Sequence, residues 1–280
     1  MSCPTNPSPM TVHPTAIVEE GARLGGGVEI GPYCVVGGQA TLCEGVRLHS
    51  HVVIGGQTEI GARTVIHSFT ALGGGAQMRK SNPPGMGLRI GADCILRESV
   101  TISTGSAAGR GVTTIGERCY LMAGSHVGHD CVVGNEVTLS NGVQLAGHVE
   151  VGEGVIMGGL SAVQQFGRIG RNAFISGLSG VAADVIPYGS AIGLHVRLGG
   201  LNLVGLRRRG IARENIHALR AAYRMIFEAD SGTIHDNSRR AGECWPGIPE
   251  VQEVVTFILA DAKRPICPAR GRRRDPSESE

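Results

Sequence analysis

The sequence predicts an all-β parallel β-helix followed by a C-terminal α-helical domain, and three observations carry that prediction. Isoleucine, leucine or valine recurs every sixth residue. One run is Val18, Leu24, Ile30, Val36, Leu42, Leu48, Ile54, Ile60, Ile66 and Leu72; a short one is Ile90, Leu96 and Ile102. The last runs from Ile115 through Leu121, Val127, Val133, Leu139, Leu145, Val151, Met157, Val163, Ile169 and Ile175 to Val181. Two positions before these stands a small or branched residue, as at Ala22, Cys34, Val46, Thr58, Ser125, Cys131, Val143 and Ser161. Composition agrees: one Trp, four Tyr and five Phe in 280 residues suit a narrow interior, and 44 Gly suit a chain that turns often. A hexapeptide period is the signature of a parallel β-helix. Each hexad makes a short strand and a corner, and three make a coil of about 18 residues. Coils stack roughly 4.8 Å apart, so about eight coils give a prism on the order of 40 Å long. Glycine is expected where a corner needs positive φ.

Along the chain, residues 12–198 read as the prism. The stretch GGGAQMRKSNPPGMG at 73–87 breaks the period. The interval from Leu72 to Ile90 is three hexads, so the coil phase is expected to survive a Gly/Pro-rich excursion that reads as a functional loop. A smaller loop, GSAAGRG at 105–111, lies in the 13-residue interval from Ile102 to Ile115. After Pro187 the repeat fades, and 199–263 reads as helical. Ile216, Leu219, Ala222, Tyr223, Ile226 and Phe227 follow i, i+3, i+4 spacing, and 249–260 repeats such a stripe after Pro249. Residues 264–280, rich in Pro, Arg and Ser, read as a disordered tail whose Arg270, Arg272, Arg273 and Arg274 are solvated.

Of eight cysteines, Cys34, Cys94, Cys119 and Cys131 fall at the small inward position and are expected to be buried thiols. Cys3, Cys43, Cys244 and Cys267 are scattered, with no C-x-x-C spacing for zinc. That usage favours a reducing, cytoplasmic compartment. The first 15 residues lack the basic flank and apolar segment of a signal peptide, and no run of 18 apolar residues suggests a membrane span. The formal charge of +2 favours no nucleic-acid partner and excludes neither a small-molecule nor a protein one.

Chemistry concentrates on the middle coils, in GSHVGHDCVVGN (124–135), LAGHV (145–149) and AVQQFG (162–167). The 18-residue coil puts His129, Gly147 and Gln165 in one column and Asp130 and His148 in the next. His126 stands over Gln144. A lone corner histidine is ordinarily inert; three within two coils, beside a carboxylate, suggest a site. A neutral imidazole suits general-base removal of a hydroxyl proton during attack on a thioester. Asp130 would orient His129 or stabilise its charged form, if the corner points both side chains the same way. Gly147 leaves room for substrate and bares an N–H for an oxyanion. No nucleophile elbow is evident, so direct transfer is expected. A zinc site of the kind found in hexapeptide carbonic anhydrases lacks a tetrahedral set here. No metal and no cofactor are expected.

These segments, with HPTAIVEEGA (13–22), RESVTI (97–102), GLSGVAADV (177–185) and GLRRRG (205–210), resemble the UDP-N-acetylglucosamine O-acyltransferases of lipid A biosynthesis over residues 12–262. The resemblance implies a left-handed coil, against the usual right-handed crossover. It also implies a homotrimer with clefts between prisms, and transfer of a (3R)-hydroxyacyl chain from acyl carrier protein to the 3-hydroxyl of UDP-N-acetylglucosamine. His129 matches the general base, Asp130 its partner and Gly147 the oxyanion donor. His126, His148 and Gln165 match residues around sugar and acyl group, and Gln77 and Lys80 lie on the matching loop. Asn202, Arg208 and Arg209 match the nucleotide-binding part; the guanidinium fork suits diphosphate. Gly177 is the candidate for an open groove end that sets acyl length.

The chain departs from the family at Met78, where an acidic residue is common, at Gln164 for His, at Val204 for an acidic residue and at Thr104 for a basic one. Base and oxyanion donor remain, while sugar recognition is expected to differ. A 3-amino sugar nucleotide is the alternative acceptor. A non-catalytic β-helix scaffold, the reading from another class, predicts neither the polar convergence nor the loops.

Overall fold

The computed structural model describes residues 9–79, 85–229 and 231–270. Short strands, mostly of two residues and one per hexad, stack into three sheets of eleven, nine and eight strands that form the faces of a prism and are parallel except for the last pair of the first. The first face begins at Thr11–Val12, the second at Ile17–Val18 and the third at Arg23–Leu24. Side chains alternate along each strand, so each pair has one residue outside and one inside. On the first face the inward column is Ile30, Leu48, Ile66, Leu96, Leu121, Leu139, Met157 and Ile175, each paired with the next. All are at most 4% exposed. Burial of each stabilises by about 1.5–3 kcal/mol relative to exposure. The small inward residues fill the corners, where Cys34, Cys94, Cys119 and Cys131 are buried, free thiols as expected. Cys267, which the sequence left scattered, is also fully buried.

Glycine has the anticipated duty at corners such as Gly27, Gly45, Gly124 and Gly142, which turn with positive φ, although other residues take the same conformation, among them His51, Asp93, Asp130, His148 and Phe166. Some glycines that follow the aliphatics are required by close approach. A Cβ on Gly31 would lie 2.8 Å from the His49 carbonyl oxygen, and one on Gly61 would lie 2.5 Å from the Ala92 nitrogen.

The loops also rejoin differently. Ile90 does not stack on Leu72. It pairs with Ile60 on the third face, and Leu72 pairs with Ile102 on the second. The chain therefore leaves the second face at Leu72 and resumes on the next face, so residues 73–87 are an insertion at one corner and no complete coil is skipped. The 105–111 loop leaves from the same corner, since Ile102 lies on the second face and Ile115 joins Ile90 on the third. It inserts seven residues beyond a hexad step.

At the C-terminal end Gly189–Ile192 pairs antiparallel with Arg197–Leu201, so the sheet runs past residue 198. Four helices follow: α1 (Leu203–Arg208), α2 (Arg213–Phe227), α3 (Ile234–Cys244) and α4 (Pro249–Leu259). The anticipated stripe of α2 is buried at Ile216, Leu219, Ala222, Tyr223 and Ile226. Helix α3 gave no aliphatic signal because its buried face is Asn237, Ser238 and Ala241. Residues 264–270, expected to be a disordered tail, are tied to the prism end. Backbone N–H groups of Asp184 and Leu198 donate to the Pro265 and Pro268 carbonyls at 2.8 and 2.9 Å, and Cys267 N–H donates to Asp184 O at 2.8 Å. Composition alone missed this because the pairing partners lie some 70 residues away. Arg270 is exposed; Arg272, Arg273 and Arg274 lie outside the described residues.

Alternation makes a direct prediction. Leu139→Ala empties an inward site and should cost about 2–5 kcal/mol, while Thr138→Ala, its outward neighbour, should stay within about 0.5 kcal/mol. Denaturant unfolding of both variants checks this; equal losses would contradict the assigned facing.

Candidate active site

The corner between the second and third faces is where chemistry gathers. It lies after the strand His126–Val127 and before Val132–Val133. Asp130 turns there with φ of 60°, which brings its carboxylate back beside the preceding side chain. His129 Nδ1 lies 2.8 Å from Asp130 Oδ2. One coil on, a Cβ placed on Gly147 would lie 2.5 Å from His129 Nε2, so only glycine leaves that nitrogen free of the wall. Pro32 fills the equivalent hexad place elsewhere, so the stacking of the coils does not require an N–H at this position. His148 N–H donates to His129 O at 2.8 Å, and the two imidazoles meet edge to face with centroids 5.0 Å apart.

Asp130 is the anchor. It is fully buried, and its oxygens accept from the Ser106 hydroxyl at 2.5 Å and from the backbone N–H groups of Ser106, Arg110 and Gly111 at 3.0, 2.8 and 3.1 Å. Its own N–H donates to Thr113 Oγ1 at 2.9 Å. The 105–111 loop thus folds over the carboxylate, so closely that a Cβ on Gly109 would fall 2.4 Å from it. Burial alone would raise the Asp130 pKa. Hydrogen bonds from Ser106 and His129 outweigh burial and leave it below the usual carboxylate value. A buried anion held this way needs a counter-charge, and an imidazolium on His129 would supply one.

Burial lowers the His148 pKa, against the opposing pull of Asp130, and His148 Nε2 lies 3.7 Å from Asp130 Oδ2. His126 sits on the flat of the second face, Nδ1 2.8 Å from Thr101 Oγ1, and burial lowers its pKa too. Both are therefore neutral at pH 7. His129, Asp130 and His148 place potential ligand atoms within 4.8 Å of one another, a spacing a cation would accept. Asp130 already takes four N–H or O–H donors besides His129, so a cation there would compete with the hydrogen bonds that hold the loop.

Gln165 completes its expected column, and Gln77 is exposed on the longer loop at the same corner. Lys80 lies outside the described residues. Met78, 43% exposed, shares that loop, whereas Thr104 is buried with its N–H on the Gly74 carbonyl. Three groups were missed by sequence reasoning. Ser106 holds Asp130; Phe166 stacks on His148 with centroids 4.6 Å apart; Lys263 and Arg264 reach this corner from the chain's end. The column arithmetic that paired Asp130 with His148 extends to Phe166, so that signal existed.

The remaining candidates are elsewhere. Gly177 lies at the corner between the first and second faces, after Phe174–Ile175 and before Gly180–Val181. Asn202, Arg208 and Arg209 line a cavity of about 770 Å³ at the third corner, with Glu136, Gly154, Ile156, Phe174 and Val204. Asn202 caps α1 by accepting from the Gly205 N–H at 3.0 Å, Arg209 meets Glu136 at 3.4 Å, and Arg208 is exposed. One chain therefore presents its three candidate groups on three different edges.

Comparison with known proteins now decides the family. Residues 184–267 match the second domain of UDP-N-acetylglucosamine O-acyltransferase, and residues 113–147 match the bacterial transferase hexapeptide repeat. The acyl-[acyl-carrier-protein]–UDP-N-acetylglucosamine O-acyltransferase of Rhizobium johnstonii is 44% identical over 94% of this chain and 96% of its own length. The chain belongs to the UDP-N-acetylglucosamine O-acyltransferase family. The acyltransferase of Caulobacter vibrioides is 53% identical over 64% of this chain and 68% of its own. A crystal structure of UDP-N-acetylglucosamine acyltransferase superposes with a TM-score of 0.89 at 36% identity, covering 93% of this chain and all of that one. The Acinetobacter baumannii acyltransferase follows at 0.88 and 36%, covering 92% and 99%. The family fold is the left-handed parallel β-helix with C-terminal helices, as expected.

The Asp130 cradle has a pH consequence. A carboxylate whose folded pKa is depressed stabilises fully above its unfolded value of about 3.9 and loses that contribution as pH falls through the folded value. Ser106→Ala removes a charge-assisted bond and should move the Asp130 titration upward, bringing acid loss of structure to higher pH. Carbon-13 NMR of the Asp130 carboxyl reads this, and an unchanged titration would remove Ser106 from the cradle.

Proposed function

We infer that the protein transfers a (3R)-hydroxyacyl chain from acyl carrier protein to the 3-hydroxyl of UDP-N-acetylglucosamine, the opening step of lipid A biosynthesis. The observation that carries this is the His129 corner: Nδ1 bound to a buried carboxylate, Nε2 facing a bare glycine backbone. With Nδ1 as donor to Asp130, Nε2 carries the lone pair. It accepts the proton of the sugar hydroxyl as that oxygen attacks the thioester carbonyl carbon. The Gly147 N–H supports the developing oxyanion. Collapse of the tetrahedral species breaks the C–S bond, and the proton on His129 passes to the departing thiolate. Asp130 stays ionised throughout and stabilises the transient imidazolium. His126, His148, Gln165 and Gln77 form the surroundings of sugar and acyl chain.

The cavity at the third corner supports the nucleotide assignment. Ile156, Phe174 and Leu201 give an apolar wall for a base, and Arg208 and Arg209 give guanidinium forks for diphosphate. Because these residues and Gly177 sit on edges other than that of His129, a complete site needs neighbouring copies. A homotrimer, in which each prism faces two others, meets that need. The seven described cysteines are free, and no described helix is long and apolar enough to cross a membrane, which supports work in the cytoplasm. An apolar, exposed Met78 on the loop beside the site favours testing a 3-amino acceptor alongside the hydroxyl one.

His129→Ala should leave the fold intact, since the side chain lies outside the prism core, and should lower turnover by at least about 100-fold. The assay offers UDP-N-acetylglucosamine and its 3-amino analogue with a panel of hydroxyacyl carrier proteins. Retention of more than about a tenth of the rate removes the general base; product only from the amino sugar makes the enzyme an N-acyltransferase.

Mixing tests the shared site. Co-refolded His129→Ala and Arg208→Ala subunits should regain activity that neither has alone, because some interfaces would pair an intact His129 with an intact Arg208. No recovery at any mixing ratio would place both groups on one subunit's site.

A further inference from the structure

Two residues that follow the last helix grip the His129 corner directly. Lys263 Nζ lies 3.9 Å from the centroid of the Phe166 ring. The next residue, Arg264, donates from Nε and Nη2 to the carbonyl of the preceding corner residue, Gln165, at 3.0 and 2.9 Å. Beyond them the chain is fixed to the prism end through Asp184, Leu198 and the buried Cys267. This strap is thus anchored independently of the corner it touches. Phe166 is positioned to pass the grip on. It stacks nearly parallel on His148, at 18° and 4.6 Å, and His148 in turn stands edge-on to His129 and 3.7 Å from the Asp130 carboxylate.

We propose that Lys263 is a positioning residue for acyl transfer, clamping Phe166 from outside so that His148 is held in place beside His129 and Asp130. The proposal rests on the acyltransferase reading of this corner. An ammonium over a ring face is attracted electrostatically and fixes the ring without filling any core site. Asp130, His148 and Phe166 all turn with φ between 60° and 65°, the corner conformation that Tyr33, His51 and Phe69 also adopt, so their side chains share one column and what touches one ring is felt by the next. Phe166 is half-buried, and its described ring contacts are the stacked His148 and the Lys263 ammonium, so loss of the ammonium removes one of the two. The charge has a second consequence. Lys263 is among the cations that oppose protonation of His148, with His129 and Arg110 acting in the same sense, burial contributing most, and Asp130 opposing them.

Nothing in the period-six pattern foretold this contact, although Lys263 is one of only two lysines in a chain whose other basic residues are all arginine.

The test uses the full chain. Lys263→Met keeps the reach and removes the charge. It should lower kcat about three- to thirty-fold, the range a cation–π contact supports, with the KM of the sugar nucleotide and of the acyl carrier protein unchanged. Lys263→Arg should restore kcat to within about two-fold, since arginine makes the same contact. In a Phe166→Leu background, Lys263→Met should have no further effect, because its target is gone. Nitrogen-15 NMR of the His148 imidazole, which needs no turnover, should show its pKa rising in Lys263→Met. An unchanged kcat, an effect confined to the carrier-protein KM, or equal losses with and without Phe166 would each overturn the proposal; the second would make Lys263 a docking cation instead. Failure of the wild-type protein to transfer acyl groups would sink the acyltransferase reading, while the imidazole titration would still report whether Lys263 acts on His148.

Discussion

An inward aliphatic at every sixth residue fixes how deep each strand packs, and parallel pairing then fixes which corner residues share a column. The two constraints reinforce each other. A slip of one residue would turn Leu139 and its column outward and bring Thr138 in, losing an entire face of burial. The prism is therefore a rigid ruler about one strand spacing per coil, and a functional group can be placed on it by sequence position alone. His129 and Gly147 meet for that reason: nothing about either residue attracts the other, but the coil sets them one above the next.

The ruler also explains what was and was not legible. The columns His129–Gly147–Gln165 and Asp130–His148 were readable because no insertion interrupts the chain between residues 115 and 181. Residues meeting Asp130 from the other side were not, because the 105–111 loop inserts seven residues and destroys the count. The same failure misread the longer loop: a three-hexad interval looked like a preserved phase, yet the chain had advanced one face, with Ile90 on Ile60. Glycine was legible in part, since both close approach and positive φ select it: the first governs Gly31 and Gly61 and the second Gly27 and Gly45, while Asp130, His148 and Phe166 bear positive φ without being glycine. At the C-terminal end composition suggested disorder. Long-range hydrogen bonds to Asp184 and Leu198 decide otherwise for residues 264–270.

The His129 corner joins two kinds of structure that fold by different rules. His129, Gly147 and His148 are carried by coils, whose geometry is repeated and locally determined. Ser106, Arg110 and Gly111 come from a loop with no repeat, and they converge on the one carboxylate at the corner. Asp130 thus serves both as hydrogen-bond partner of His129 and as the knot that ties the loop down. Its neutralisation would loosen the loop as well as the imidazole, so loss of activity at low pH and local opening of residues 105–111 should be one event. A substitution at Asp130 accordingly mixes chemistry with folding, whereas His129 separates them, because its ring contributes little to the packing beneath.

A prism has three edges, and this chain carries a different candidate group on each: the His129–Asp130 pair, a glycine-lined edge at Gly177, and a cavity lined by Arg208 and Arg209. No rearrangement of one chain can bring these together without breaking the inward columns that hold the coils. Association of copies does so at no cost to the core, since each edge can face a different edge of a neighbour. Heterologous contacts of that sort either close into a ring or run on as a filament. The homotrimer proposed above is the closed case, and closure would set the number of complete sites equal to the number of chains.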